Sequence, residues 1–127
     1  MTARQILGLG AALGALGVAL GAFGAHGLRD RLTPADLGVF ETAVRYQMYH
    51  AVALLGLAAW VDRSPSPKLG WVAWCFALGV AVFSGSLYLL VLTQARWLGA
   101  ITPFGGVSLI GGWVLLAVAA LDRPRPS

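Results

Sequence analysis

Four apolar runs, at 6–25, 47–61, 69–92 and 98–121, decide what this chain can fold into. A membrane-spanning helix needs about 20 predominantly apolar residues, within a range of about 17–25. Three of the four runs reach that length outright. The second is short, and the amphipathic stretch ahead of it, at about 34–46, supplies the missing turn. Only 11% of the 127 residues are charged, 58% are hydrophobic and the mean hydropathy is +0.77. A soluble domain carries about 25% charged residues, so this chain cannot cover a water-exposed surface. The expected fold is all-α, a four-helix transmembrane bundle forming one integral membrane domain over residues 1–127. Its spans are expected near 6–25, 47–61, 69–92 and 103–121, with the second helix extended by an amphipathic juxtamembrane part.

Helix starts are marked by three hydroxyl–proline pairs, Thr33-Pro34, Ser66-Pro67 and Thr102-Pro103. A hydroxyl N-cap accepts a free backbone N–H, and a proline at the first helical position has none to satisfy. Starts are therefore expected at Pro34, Pro67 and Pro103. A helix from Pro34 to residue 61 is about 42 Å long at about 1.5 Å per residue, more than the hydrocarbon thickness of roughly 30 Å. Its first turns should project from the membrane or lie in the headgroup layer. Leu37, Phe40, Val44 and Met48 recur there at helical spacing, with Asp36, Glu41 and Arg45 on other faces. Glu41 and Arg45, four apart with the acid first, are expected to form an interface ion pair.

Gly8 to Gly14 imitates a nucleotide-binding glycine loop, but no strand precedes it and it lies within an apolar span, so that motif is rejected. Gly10, Gly14, Gly17, Gly21 and Gly24 instead repeat at spacings of four and three, one stripe of a helix. Small residues let backbones approach closely, which favours helix association in lipid. The first helix is expected to be a central packing element. Ala73, Ala77, Ala81 and Gly85 on the third helix, and Gly105, Ser108 and Gly112 on the fourth, offer partner faces. Trp60, Trp71 and Trp74 fall near one boundary and Tyr46, Tyr49 and Trp97 near the other, as aromatic belts do. Trp113 reads as packing.

The net charge of +4 comes from basic residues scattered singly through short loops, so no nucleic-acid surface is expected. Cys75 is the only cysteine, a small buried thiol without a partner. The first apolar run is longer than the usual 7–15-residue core of a secretory signal and is expected to be retained. With four spans, Arg4, Arg63, Lys68, Arg123 and Arg125 share one side, and Arg29, Arg31, Arg45 and Arg96 the other. This bias favours both termini in the cytoplasm.

The topology gathers the polar residues at one membrane face. His26, Glu41, Arg45, Gln47, His50, Tyr88, Arg96 and Thr102 form the candidate polar cluster, with His26 and His50 expected to lie near each other. Polar groups at membrane depth usually face the bundle interior, paired with each other or with backbone. Two histidines without metal-ligand spacing point to hydrogen bonding rather than to metal or haem. No nucleophile–base arrangement or phosphate loop is present, so no catalytic residue, cofactor or metal site is assigned and the chain is read as a non-enzyme. Ser84 and Ser86 read as packing residues.

The segments Gly21-Ala22-Phe23-Gly24-Ala25-His26-Gly27-Leu28 and Thr42-Ala43-Val44-Arg45-Tyr46-Gln47-Met48-Tyr49-His50-Ala51 resemble the domain-of-unknown-function-423 family. These are small bacterial inner-membrane proteins whose animal relatives include transmembrane protein 256. The likeness continues through Phe83-Ser84-Gly85-Ser86-Leu87-Tyr88 and Ile101-Thr102-Pro103-Phe104-Gly105-Gly106. It implies a four-helix integral membrane protein and carries no established activity. The expected function is that of a structural or interaction module, a homo-oligomer or part of a larger membrane complex, whose remaining partner is the lipid bilayer. The alternative is a small-solute or ion transport protein acting as an oligomer.

Overall fold

The computed structural model describes residues 1–122, so Arg123 and Arg125 of the orientation argument lie outside the described residues. The chain forms helices α1 (Ala3–His26), α2 (Pro34–Arg63), α3 (Pro67–Thr93) and α4 (Thr102–Leu121), with a short 3₁₀ turn at Arg96–Ala100. α1, α3 and α4 with its preceding turn are long and apolar enough to cross a membrane. α2 carries Asp36, Glu41, Arg45, Asp62 and Arg63 and falls outside that class.

Local chemistry explains the helix ends. Thr2 and Gln5 form a capping box at α1, each side chain accepting from the other's backbone N–H. Thr33 Oγ1 accepts from Asp36 N at 3.1 Å, with Pro34 opening α2 as expected. Pro67 opens α3 without a bond from the Ser66 side chain. Thr102 does not act as a cap. The 3₁₀ turn runs straight into α4, so Ile101 is already helical at φ −82° and ψ −34°, and the Thr102 hydroxyl turns instead to Ser86. α3 stops at Gln94, whose φ of 59° is left-handed. Its side-chain amide donates to Val91 O at 2.7 Å, which helps to hold that turn.

α2 and α3 form the centre; α1 packs on α2, and α4 packs on α3. The glycine stripe leads to a different place from the one expected. α1 is peripheral, because the stripe faces α2 alone while Leu7, Leu16, Val18 and Phe23 stay exposed. A Cβ on Gly24 would stand 2.8 Å from the Phe40 ring, one on Gly21 3.3 Å from Val44, and one on Gly10 3.0 Å from Ala51 O. The Gly105–Ser108–Gly112 face packs on α3, with Gly105 against the Phe83 backbone and Gly112 against the Phe76 ring. On α3 the contact is made around Gly79, whereas Gly85 has open space beside it.

These contacts fix a common level. Gly14 faces Ala51, the Phe76 ring lies 5.2 Å from His50, and Gly112 faces Phe76. The midpoint of α1 falls between Gly14 and Ala15, so His50 sits at mid-depth of the helices rather than one turn inside a boundary. Two apolar clusters flank this level. One is centred on Ile6, Leu54, Leu69, Val72 and Phe76, and the other on Leu28, Phe40, Leu90, Val91 and Leu98. The ion pair of Lys68 with Asp122 ties the start of α3 to the end of α4.

Candidate functional site

His50 is 3% exposed and both of its ring nitrogens are engaged. Nδ1 lies 2.6 Å from the carbonyl oxygen of Tyr46, and Nε2 lies 3.0 Å from the indole nitrogen of Trp113. A carbonyl only accepts and an indole N–H only donates. His50 is therefore the neutral tautomer with its proton on Nδ1, and its Nε2 lone pair is taken by Trp113. The rings of Phe76 and Trp113 enclose it, with centroids at 5.2 and 5.8 Å. Trp113, read from sequence as packing, is the residue that completes this site.

Gln47, 2% exposed, is likewise satisfied at both ends. Its Nε2 donates to Leu13 O on α1 at 2.9 Å, and its Oε1 accepts from the Tyr88 hydroxyl at 2.7 Å. Gly17, four positions on from Leu13, lies beside this bond. A Cβ there would meet Met48 and stand 3.5 Å from the Gln47 amide. The same arrangement recurs on α3. Ser108 donates to Cys75 O at 2.8 Å, and the residue four positions on is Gly79. Ser84 donates to Ala43 O at 2.7 Å, joining α2 and α3. Among the described residues no buried side-chain polar atom lacks a partner, as a low-dielectric interior demands.

At the end bearing the 27–33 connector, Asp36 anchors a separate network. Arg96 reaches it with two bonds, Nη1 to Oδ1 at 2.9 Å and Nη2 to Oδ2 at 3.2 Å. Gln94 Nε2 donates to Asp36 Oδ2 at 3.1 Å, and Gln94 Oε1 accepts from Arg96 at 2.7 Å. The Arg96 and Gln94 donors hold the Asp36 carboxyl below its ordinary value. Sequence reading placed Asp36 off the apolar face of α2 and outside the candidate cluster. It is buried because the left-handed turn at Gln94 brings the 3₁₀ segment over the start of α2.

The expected cluster therefore divides. Gln47 and Tyr88 meet, His50 joins Trp113, Arg96 joins Asp36, and Thr102 joins Ser86 at 2.6 Å. His26 stands exposed at the end of α1, beyond the level where Gly24 meets Phe40. Residues 40 and 50 are separated by about 15 Å along a helix, so the two histidines are not neighbours. Glu41 and Arg45 do not pair; both line a cleft between α1 and α2. Tyr46 and Tyr49, read as belt residues, start within about a turn of the His50 level, and the Tyr46 ring lies 4.6 Å from that of Phe83, tilted by 34°.

The family described as Protein of unknown function (DUF423) matches residues 20–106. The chain belongs to this family. The DUF423 match takes in Asp36, Gln47, His50, Tyr88, Arg96 and Thr102 and stops short of Trp113. A "UPF0382 membrane protein" of Staphylococcus epidermidis is 47% identical over 113 residues, covering 89% of this chain and 92% of the relative. One of Staphylococcus saprophyticus is 47% identical over 110 residues, covering 87% and 91%. The "UPF0382 inner membrane protein YgdD" of Escherichia coli K12 is 43% identical over 125 residues, covering 98% and 95%. No solved structure matches the chain. The chain is thus a helical membrane protein of a family to which no activity is attached.

Proposed function

We propose that this chain is a four-span protein of the bacterial inner membrane, with both termini cytoplasmic, that works as a non-catalytic interaction module. One observation carries the topology: α2 is packed on both α1 and α3, and its His50 lies at the level of Gly14 and Phe76. A helix held between two long apolar helices shares their slab. A slab of roughly 30 Å centred on His50 takes in residues from about 40 to about 60 of α2. The first turn of α2 and the Asp36–Arg96 network then lie in the headgroup layer.

The engaged polar groups support a structural role for the interior. Gln47 and His50 are each bonded at both ends within the protein. No observation favours the transport alternative. The outer helices leave Leu16 and Val18 of α1, and Val107, Ile110 and Val114 of α4, uncovered. Lipid tails satisfy these apolar faces, which also leave room for lateral contact with a second copy or a larger membrane complex. Extraction into native lipid particles followed by native mass spectrometry tests this role. A defined oligomer or a stoichiometric partner is expected, and monodisperse monomers without a partner would overturn it.

A further inference from the structure

We propose that the cleft between α1 and α2 is a binding site for a zwitterionic aminophospholipid, its ammonium on Glu41 and its phosphate on Arg45. The cleft is about 230 Å³ in volume, floored by Gly21, Gly24, Phe40 and Val44, with Glu41 and Arg45 in its wall. The glycines keep it open, since a side chain at either would press on Phe40 or Val44.

The charges set the chemistry of the occupant. Glu41 and Arg45 stand four apart in the order that favours a helical ion pair, yet both are exposed and neither is in an ion pair among the described residues. An acid and a base that share one wall without pairing complement a headgroup that carries both charges. An anionic headgroup would face the Glu41 carboxylate without a compensating cation. A quaternary ammonium has no N–H to donate to it.

Depth identifies the source as the bilayer. Side chains on a helix lean toward its N-terminus, and long basic chains extend to the interface. Arg45 begins about 7.5 Å from the His50 level and leans toward Glu41, which begins about 13.5 Å from that level. Both heads thus approach the edge of the hydrocarbon slab, while the apolar floor at Gly21 and Val44 runs inward and takes the start of an acyl chain. The inference rests on α2 crossing the membrane as argued above.

The test is native mass spectrometry of the full chain in detergent, titrated with phosphatidylethanolamine, phosphatidylglycerol and phosphatidylcholine of identical acyl chains. Phosphatidylethanolamine adducts are expected to exceed the other two several-fold. E41Q should bring them down to the phosphatidylglycerol level, R45Q should lower all three, and R29Q on the neighbouring connector should change none. The wild-type comparison needs no variant to fold, and the variants are scored only with helix content equal to wild type. Equal adducts of the three lipids on wild type, or a preference that survives both substitutions, would overturn the site. Either outcome with α2 shown to cross the membrane overturns this inference alone.

Discussion

The indole N–H of Trp113 on α4 donates to Nε2 of His50 on α2 at 3.0 Å, at mid-depth of the four helices. α2 and α4 have few other contacts, so this bond is the main direct tie between them. Hydrogen bonds between membrane helices measured by double-mutant cycles average about 0.6 kcal/mol, with a maximum of about 1.7. A cycle of W113F and H50L should give a coupling in that range, toward its upper end because Nε2 has no other donor. Steric trapping or denaturation from mixed micelles reads it. Strict additivity of the two substitutions would refute the tie.

Gln47 bridges α1 and α3 through Leu13 O and the Tyr88 hydroxyl. Q47L removes two bonds and leaves the hydroxyl of Tyr88 without its acceptor. Unpartnering a buried polar group costs about 1–3 kcal/mol. Q47L should therefore destabilise more than Y88F, and the double variant should cost no more than Q47L alone because Y88F removes the stranded hydroxyl, measured by the same unfolding assay.

The Asp36 carboxyl has a lowered pKa because Arg96 and Gln94 donate to its charged form. A depressed folded-state pKa contributes stability that is present above the ordinary value of 3.8 and is lost as pH falls through the lower folded value. Wild type should thus unfold at a higher temperature than D36N at neutral pH, and the gap should close once pH falls well below 3.8. Thermal unfolding followed by circular dichroism against pH checks this. A gap that widens on acidification would contradict it.

Glycine substitutions should rank by what their Cβ meets. At Gly105 it meets the Phe83 backbone, at Gly24 the Phe40 ring, at Gly21 only Val44 at 3.3 Å, and at Gly8 nothing within 4 Å. Overpacking costs about 1–3 kcal/mol. G105A should lie at the upper end because backbone cannot turn aside as a ring can, G24A should follow, G21A should be mild, and G8A should be neutral or stabilising. Unfolding free energies of the four variants decide the order.

Much of the frame was legible because apolar run length and proline position are local properties. The starts at Pro34 and Pro67 and the Gly105–Ser108–Gly112 face follow from such signals. Depth was not legible at His50, since it depends on where α1 and α3 sit against α2, and that register is set by side-chain volume at Gly14 and Phe76. The Trp113 bond was invisible for the same reason: its partner is 63 residues away. Asp36 and Arg96 find each other only because Gln94 takes a left-handed turn, which no adjacent glycine announces. The stripe on α1 was visible, but a stripe names a packed face without saying how many neighbours a helix has.

The central claim is that α2 crosses the membrane between α1 and α3. Single-cysteine variants on a C75A background, labelled in intact cells with a membrane-impermeant maleimide, test it most directly. D30C, in the connector before α2, should react from outside, and S64C, just after α2, should react only once the inner membrane is opened. Equal accessibility of the two positions from one side would contradict the account.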